Sequence, residues 1–227
     1  MKRLRLAHWL VVCSACGPIA WFSPAPAAAA ENQQAAQSAP AAELERTRQD
    51  FVKNFQRIGL NTTPGDAAFL RIMVEISGAQ RGVEVGTATG YGAIHMGCGF
   101  ERNAGHLTTI EIDPRMAEAA RQNIAGMKLE KSISIVQGDA LKVIPKLEGQ
   151  FDFVFLDAVK RDYLKYFKGL EPLLKPGTVI IADNVIQSAR EMQDFFDAVR
   201  QDPNYRMVIL RASDEKKDGM AVIYKLK

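Results

Sequence analysis

The chain has 227 residues and a formal net charge of +3 at pH 7. The excess lies in the first 30 residues, which hold three of the 29 basic residues (Lys2, Arg3 and Arg5) and no acidic residue. The rest balances 26 basic against 26 acidic residues, which excludes the basic surface typical of nucleic-acid binding.

The N-terminal segment has the order of a secretory signal: basic residues, an apolar stretch, then small residues and proline up to residue 30. The apolar stretch is short for a membrane span and is interrupted by Ser14, Gly17 and Pro18. We therefore expect export, periplasmic or secreted, with no membrane span after cleavage. The alternatives are a retained anchor and a lipoprotein at Cys13 or Cys16.

The domain organisation follows from this leader. Residues 1–30 are the predicted signal, residues 31–42 a flexible linker rich in Ala, Gln and Ser, and residues 43–227 one domain with a sizeable core. Cys98 is the only cysteine outside the leader, so an intramolecular disulfide is excluded after cleavage.

The domain alternates between two kinds of pattern. Helical spacing or cap signals predict helices over residues 43–58, 67–77, 114–125, 141–147, 163–174 and 188–201. Apolar runs predict strands over residues 82–85, 107–112, 133–136, 152–156, 178–182, 206–210 and 220–226. The alternation predicts an α/β fold: one Rossmann-like doubly wound sheet of about seven strands, mostly parallel with an antiparallel C-terminal strand, and helices on both faces.

A glycine-rich segment, Glu84-Val-Gly86-Thr-Ala-Thr-Gly90-Tyr-Gly92, follows the first strand. Glycines allow a tight turn and close approach of a ligand. The segment matches neither the dinucleotide fingerprint nor the P-loop, so a pyrophosphate cradle is not indicated. Glu111 ends the second strand, where an acid can accept both hydroxyls of a ribose. With Asp139 after the third strand, the set favours a nucleoside without a phosphate tail, such as S-adenosylmethionine.

Two apolar runs end in oxygen donors. The fourth predicted strand leads to Asp157, and the fifth leads to Asp183 and Asn184. Neighbouring parallel strands would bring these side chains together at one rim, where open α/β sheets bind ligands. Hard oxygen donors of this kind suit Mg²⁺ or Ca²⁺ better than zinc. Lys160 follows Asp157 by three residues, within reach of the same spot.

These segments together resemble the metal-dependent small-molecule O-methyltransferases, the family of catechol and caffeoyl-CoA O-methyltransferases. The resemblance covers residues 61–225 and is carried by four motifs: Val83-Glu-Val-Gly-Thr-Ala-Thr-Gly-Tyr, Ile110-Glu-Ile-Asp-Pro114, Phe153-Val-Phe-Leu-Asp157-x-x-Lys160-x-x-Tyr163 and Ala182-Asp-Asn-Val185. Gly65-Asp-Ala, Asp218-Gly-Met and Ile223-Tyr-Lys are similar to the catechol branch in particular.

The resemblance implies a role for each matching position. Asp157, Asp183 and Asn184 would ligate Mg²⁺, and Lys160 would be the general base toward a small phenolic hydroxyl. The implied S-adenosylmethionine contacts are Glu84, Gly86, Thr87, Gly90, Gly92, Glu111, Asp139, Ala140 and Asp157. A homodimer is left open.

The chain also departs from the catechol branch. Val159 stands where that branch has a tryptophan that walls the substrate, and the glutamate that holds the second catechol hydroxyl has no clear counterpart near Arg211-Ala212. Asp214 or Glu215 is the substitute if the loop shifts. Two other function classes stay open: a metal-independent methyltransferase for another nucleophile, and an exported, non-catalytic protein that keeps the fold.

Overall fold

The computed structural model describes residues 42–227, and the predicted signal (residues 1–30) and nearly all of the predicted linker lie outside this range. The chain divides into two units, Met1–Arg46 and Thr47–Lys227. Of the first unit only residues 42–46 are described, and they are helical. Within residues 42–227, none of the helices has the length and apolar character that a membrane span requires.

A single sheet organises the second unit. Its strands are β1 Arg81–Val85, β2 His106–Glu111, β3 Ile133–Gln137, β4 Phe151–Leu156, β5 Leu174–Ala182, β6 Tyr205–Leu210 and β7 Met220–Lys225. The order across the sheet is β3-β2-β1-β4-β5-β7-β6. The first five strands pair in parallel, and β7 runs antiparallel to both β5 and β6. The predicted mixed sheet with an antiparallel C-terminal strand is confirmed.

Helices cover both faces of the sheet. They are α1 over residues 42–53, α2 Pro64–Ser77, α3 Tyr91–Arg102, α4 Pro114–Gly126, α5 Ala140–Val143, α6 Tyr163–Leu170 and α7 Gln193–Gln201, with 3₁₀ turns at Ile144–Lys146, Lys160–Asp162 and Glu171–Leu173. The starts of α2 and α4 combine a proline in the first turn with a capping side chain, Thr63 and Asp113 respectively.

Strand β4 shows why the sheet is buried on both sides. All six of its residues are buried, so its alternating side chains supply two separate cores. Val154 and Leu156 belong to the cluster that includes the aromatic residues of α6 and α7. Phe153 and Phe155 belong to the opposite cluster, with residues of α2, α3 and α4.

One helix of the structure was not predicted, and several predicted helices have different bounds. Helix α3 is absent from the predicted elements, because its three glycines, Gly92, Gly97 and Gly99, give it a weak helical pattern. The segment predicted as one helix over residues 163–174 ends at Leu170; Pro172 forces a 3₁₀ turn, and Leu174 already pairs with Phe151. The helix predicted from residue 188 begins at Gln193, after a series of turns, and α1 stops at residue 53 rather than 58.

Candidate active site

A cavity of about 750 Å³ opens at the carboxyl ends of β1 to β5. It brings together most of the predicted site residues: Gly86, Thr87, Glu111, Asp139, Ala140, Asp157, Lys160, Asp183 and Asn184. Three others are not part of its wall, namely Glu84, Gly90 and Gly92. The cap region of α2, residues 59–63, closes one side.

The glycine segment after β1 turns tightly against the next strand. Gly86 has a φ of 91°, and a Cβ there would clash with the carbonyl oxygen of Asp157. Gly90 has the same φ, and a Cβ would lie 3.2 Å from the Cβ of Ala120 on α4. Both positions therefore need glycine for conformation and for close approach. The backbone of the predicted cofactor loop thus touches the residue predicted as a metal ligand.

Glu111 fixes the conformation of this loop. Its Oε2 accepts hydrogen bonds from the backbone N–H groups of Thr87 (3.2 Å) and Ala88 (2.8 Å), and its Oε1 accepts one from Asp113 (2.9 Å). An ionised carboxylate has about four acceptor positions, so about one remains for a ligand. The structure therefore adds a loop-holding role, and contact with a ribose remains a prediction.

Glu84 lies beneath the start of α3 rather than in the cavity. Its carboxyl group bonds with the hydroxyl of Thr109, and a Cβ at Gly92 would lie 3.4 Å from its Oε1. Burial raises the pKa of Glu84 to about 8. Near neutral pH the group is therefore largely protonated, which suits a structural position without a cationic partner.

Asp139 caps a short helix at the far side of the cavity. Its Oδ1 accepts from the backbone N–H of Leu141 at 2.9 Å, and Ala140 begins α5 immediately after it. The cap holds both residues in the cavity wall.

The oxygen donors after β4 and β5 do lie side by side. Leu156 pairs with Ala182, and the N–H of Asp183 donates to the carbonyl of Leu156 at 2.9 Å, so the parallel pairing continues one step past the strands. Asn184 then takes a left-handed conformation with a φ of 59°, which asparagine tolerates better than most residues. Its side-chain nitrogen donates to Asp218 Oδ2 at 3.1 Å, which leaves the amide oxygen available to a ligand.

Lys160 is held at the same rim by two contacts. Its Nζ lies 2.8 Å from Asp157 Oδ1 and 3.0 Å from the Tyr163 hydroxyl. That hydroxyl lies 2.9 Å from the carbonyl oxygen of Leu156 and 3.2 Å from that of Asp183. Burial, and then the charges of Asp157 and Asp183, raise the pKa of Tyr163 well above its usual value. Tyr163 is thus an uncharged residue whose hydroxyl links Lys160 to the ends of β4 and β5. The Lys160-x-x-Tyr163 spacing reveals this role only once the fold is known.

Lys216 is the site residue that sequence reasoning missed. It lies on the loop between β6 and β7, and its Nζ is 2.7 Å from both carboxylate oxygens of Asp183 and from Asp66 Oδ2. Burial opposes the ammonium form, but the two carboxylates outweigh it and raise the pKa of Lys216. Lys216 lines the cavity, whereas Asp214 and Glu215 do not; Glu215 pairs with Arg57 at 3.3 Å.

The donor set fits a hard divalent cation by chemistry. Two carboxylates and one amide oxygen are ligands that Mg²⁺ and Ca²⁺ prefer. Within residues 42–227 no group of three or more His, Cys, Asp or Glu side chains forms a cluster that could hold a metal, so Asn184 is needed to complete the set. The Lys216 ammonium already contacts both oxygens of one ligand.

Solved structures with the same architecture include an O-methyltransferase from Bacillus cereus in complex with SAH, with a TM-score of 0.70 and 27% identity over 81% of this chain and 90% of that chain. The O-methyltransferase TomG from Streptomyces achromogenes, in complex with SAM, shares the fold with a TM-score of 0.71 at 23% identity, covering 81% of this chain and 89% of that chain. The sheet and its cavity therefore define a Rossmann-like methyltransferase fold.

The family follows from the sequence itself. The pattern of the O-methyltransferase family matches residues 33–223, and the chain belongs to this family. It is 34% identical over 139 residues to a catechol O-methyltransferase of Niastella koreensis, covering 60% of this chain and 62% of that protein. A catechol O-methyltransferase of Mycobacterium tuberculosis is 33% identical over 143 residues, covering 63% and 64%. The matches thus span somewhat less than two thirds of these relatives. The resemblance drawn from the motifs is confirmed.

Proposed function

We propose that this protein transfers the methyl group of S-adenosylmethionine to the hydroxyl of a small phenolic compound, with Mg²⁺ held by Asp157, Asp183 and Asn184. The observation that carries the proposal is the meeting of these three residues with Lys160 in the same cavity as Glu111 and the glycine loop. Family membership and the SAH and SAM complexes of similar folds support the cofactor. The catechol relatives support the substrate class.

The reaction needs a deprotonated oxygen in line with the sulfonium methyl group. An O–CH₃ bond forms as the S–CH₃ bond breaks, S-adenosylhomocysteine leaves, and the hydroxyl proton passes to Lys160 Nζ, which accepts it as the neutral amine. A bound Mg²⁺ would supply Lewis acidity toward the hydroxyl oxygen. The chain contributes position: Asp157 and Tyr163 hold Lys160 by hydrogen bonds, and Glu111 fixes the loop beside the cavity.

The wall of the cavity supports an aromatic substrate. Four of its residues are large, apolar and yet solvent-exposed: Leu60, Ile112, Leu141 and Val159. Exposed apolar side chains around a pocket commonly mark a binding surface for an apolar group. A phenolic ring would cover part of this surface while its hydroxyl reaches Lys160.

The test is a methyl-transfer assay with labelled S-adenosylmethionine on a panel of catechols and hydroxycinnamoyl esters, with Mg²⁺ and with a chelator. We expect transfer to at least one phenol, lost with the chelator and in Asp183→Asn. Asp194→Asn removes an equal charge from an exposed position on α7, outside the cavity, and should retain activity. Activity that withstands both the chelator and Asp183→Asn would refute the cation part of the proposal.

One observation favours a second candidate, a metal-independent methyltransferase. The Lys216 ammonium neutralises part of the acidic rim without an added ion. The chelator arm of the assay separates the two candidates, because only the second predicts full activity in its presence.

We also propose that residues 1–30 direct export of the protein, on the basis of the order of basic, apolar and small residues in the sequence. N-terminal sequencing of the protein from its native host tests this. A chain that begins at Met1 or Lys2 would refute it.

A further inference from the structure

Lys216 makes an ionic contact that the proposed reaction does not use. Its side chain is only 19% exposed and lies between the buried carboxylates of Asp66 and Asp183. A buried carboxylate needs a partner, and here one ammonium serves two. One of the two, Asp183, is also a proposed cation ligand.

We propose that Lys216 is a displaceable internal cation: its ammonium and the divalent ion occupy Asp183 alternately, and Lys216 moves onto Asp66 when the ion binds. This inference rests on the cation site of the proposed function. It concerns a different residue, on a different loop, from the proposed ligands.

The acceptor positions of Asp183 leave a divalent ion only Oδ2, where it would meet the ammonium of Lys216. Its Oδ1 already accepts from the N–H of Asn184 at 2.7 Å and from Lys216, and its Oδ2 accepts from Lys216. Each oxygen has two acceptor positions, so Oδ1 is filled. An Mg²⁺ ion about 2 Å from Oδ2 would lie roughly 4 Å from an ammonium bonded to the same oxygen, and their charges would repel strongly in so enclosed a site.

Asp66 offers the place to which the ammonium moves. Its Oδ2 contacts Lys216 at 2.7 Å and Thr63 Oγ1 at 2.9 Å, whereas its Oδ1 is buried and has no hydrogen-bond partner among the described residues. An unpaired buried carboxylate oxygen is costly, and a rotation of the Lys216 side chain toward it would satisfy it. The ammonium can therefore leave Asp183 without losing its partner on α2.

The experiment measures Mg²⁺ affinity by calorimetry, without cofactor or substrate, in a double-mutant cycle. Lys216→Met should tighten Mg²⁺ binding at least about tenfold, because no ammonium must be displaced. Lys217→Met, the exposed neighbour, is the matched control and should change it little. Asp66→Asn should weaken binding several-fold, because the displaced ammonium loses its second partner.

The double variant separates the roles. In the Lys216→Met background, Asp66→Asn should have almost no effect, since nothing remains to be moved. An equal weakening in both backgrounds would show that Asp66 acts on the ion only through its charge, and would overturn the inference. If Lys216→Met alone folds poorly, the double variant, which also removes the charge of Asp66, takes its place: it should bind Mg²⁺ at least about tenfold more tightly than Asp66→Asn alone.

The remaining outcomes distinguish this inference from the proposed function. Unchanged or weaker binding in Lys216→Met, with binding still lost in Asp183→Asn, overturns the inference and leaves the cation site intact. Mg²⁺ binding only in proteins that lack Lys216 supports the mutual exclusion of the ammonium and the ion, and it overturns the Mg²⁺ requirement of the proposed function. No binding in any protein overturns both.

Discussion

Two buried carboxyl groups, one on each strand that flanks β4, avoid an unpaired buried charge in different ways. Glu84 on β1 is 1% exposed and Asp183 after β5 is 2% exposed. Glu84 meets a threonine hydroxyl, and burial raises its pKa to about 8. Burial and then Asp157 also raise the pKa of Asp183, but Lys216 opposes them. One group stays neutral by keeping its proton, whereas the other faces an ammonium.

The difference teaches which buried acid can take part in ion chemistry. A protonated carboxyl group is a poor ligand for a hard cation, because it must lose its proton first. A carboxylate that is already paired with an ammonium needs only an exchange of cations. Depth of burial therefore does not distinguish Glu84 from Asp183, the proposed cation ligand, whereas the partners of the two groups do.

The largest expected effect is at Lys160, in the charged rim that also holds Asp183. Lys160→Met should lower the rate of methyl transfer by about 10²–10⁴, because the proposed proton acceptor is lost. Lys165→Met makes the same side-chain change on the exposed face of α6 and should retain most of the rate. Steady-state kinetics with calorimetry of S-adenosylmethionine checks that binding survives. A Lys160→Met enzyme of normal rate would make this lysine a structural partner of Asp157.

The next effect tests whether the loop after β1 and the loop after β4 depend on each other through the contact of Gly86 with Asp157. Gly86→Ala combines a φ of 91° with a clash against Asp157, so the free energy of unfolding should fall by about 3 kcal/mol or more. Gly177→Ala is the control, since its φ of 88° is nearly the same and the nearest atom to the added Cβ is the Tyr224 hydroxyl at 3.8 Å. It should cost about 1–2 kcal/mol. Urea titration of both variants isolates the clash; equal losses would mean that the contact yields easily.

A smaller effect concerns the uncharged Tyr163 hydroxyl beside Lys160. Tyr163→Phe removes the hydroxyl that links Lys160 to the carbonyls of Leu156 and Asp183. We expect a loss of about 1–3 kcal/mol in the free energy of unfolding. We also expect a lower kcat with little change in KM, because Lys160 loses one of two contacts. Since its pKa lies above its usual value, Tyr163 is not a base, so the pH profile should keep its shape. A changed profile would contradict this positioning role.

The last prediction is a pH dependence of stability at Glu84. Its folded pKa of about 8 exceeds the unfolded value, so the unfolded chain releases this proton first and stability falls as pH rises from about 4.5 to 8. Glu84→Gln should remove a slope of up to about 1.4 kcal/mol per pH unit. The exposed Glu118→Gln should leave the slope unchanged. Urea titrations across this range decide; an identical slope in Glu84→Gln would show that Glu84 is ionised.

The sequence predicts the parts of this fold that depend on local pattern. Strand β4 is recognisable because buried parallel strands are continuously apolar, and α4 because Pro114 opens it. Helix α3 was missed because its glycines serve packing rather than helix propensity. A Cβ at Gly97 would clash with Ile133, and one at Gly99 would lie 3.0 Å from Val74. Such contacts exist only once the other elements are in place.

The candidate site likewise has residues that the sequence predicts and one that it does not. Asp157 and Asp183 were predictable together, since parallel strands bring their carboxyl ends to one edge. Lys216 was not, because its contacts with Asp66 and Asp183 join a late loop to the start of α2 and to the end of β5. A lysine beside another lysine in a polar loop gives no local signal. The closure of the loop over the sheet makes it part of the site.

The contact between Gly86 and Asp157 has a consequence for protein engineering. Because the two backbones touch, a library that diversifies the loop after β1 also selects for changes in the loop after β4. Under the proposed function these two loops hold the cofactor and the ion, so the two preferences are not separate modules that can be exchanged between relatives. A graft should transfer both loops as one unit, whereas the exposed cavity positions Leu60 and Val159, part of the proposed substrate surface, can be varied independently.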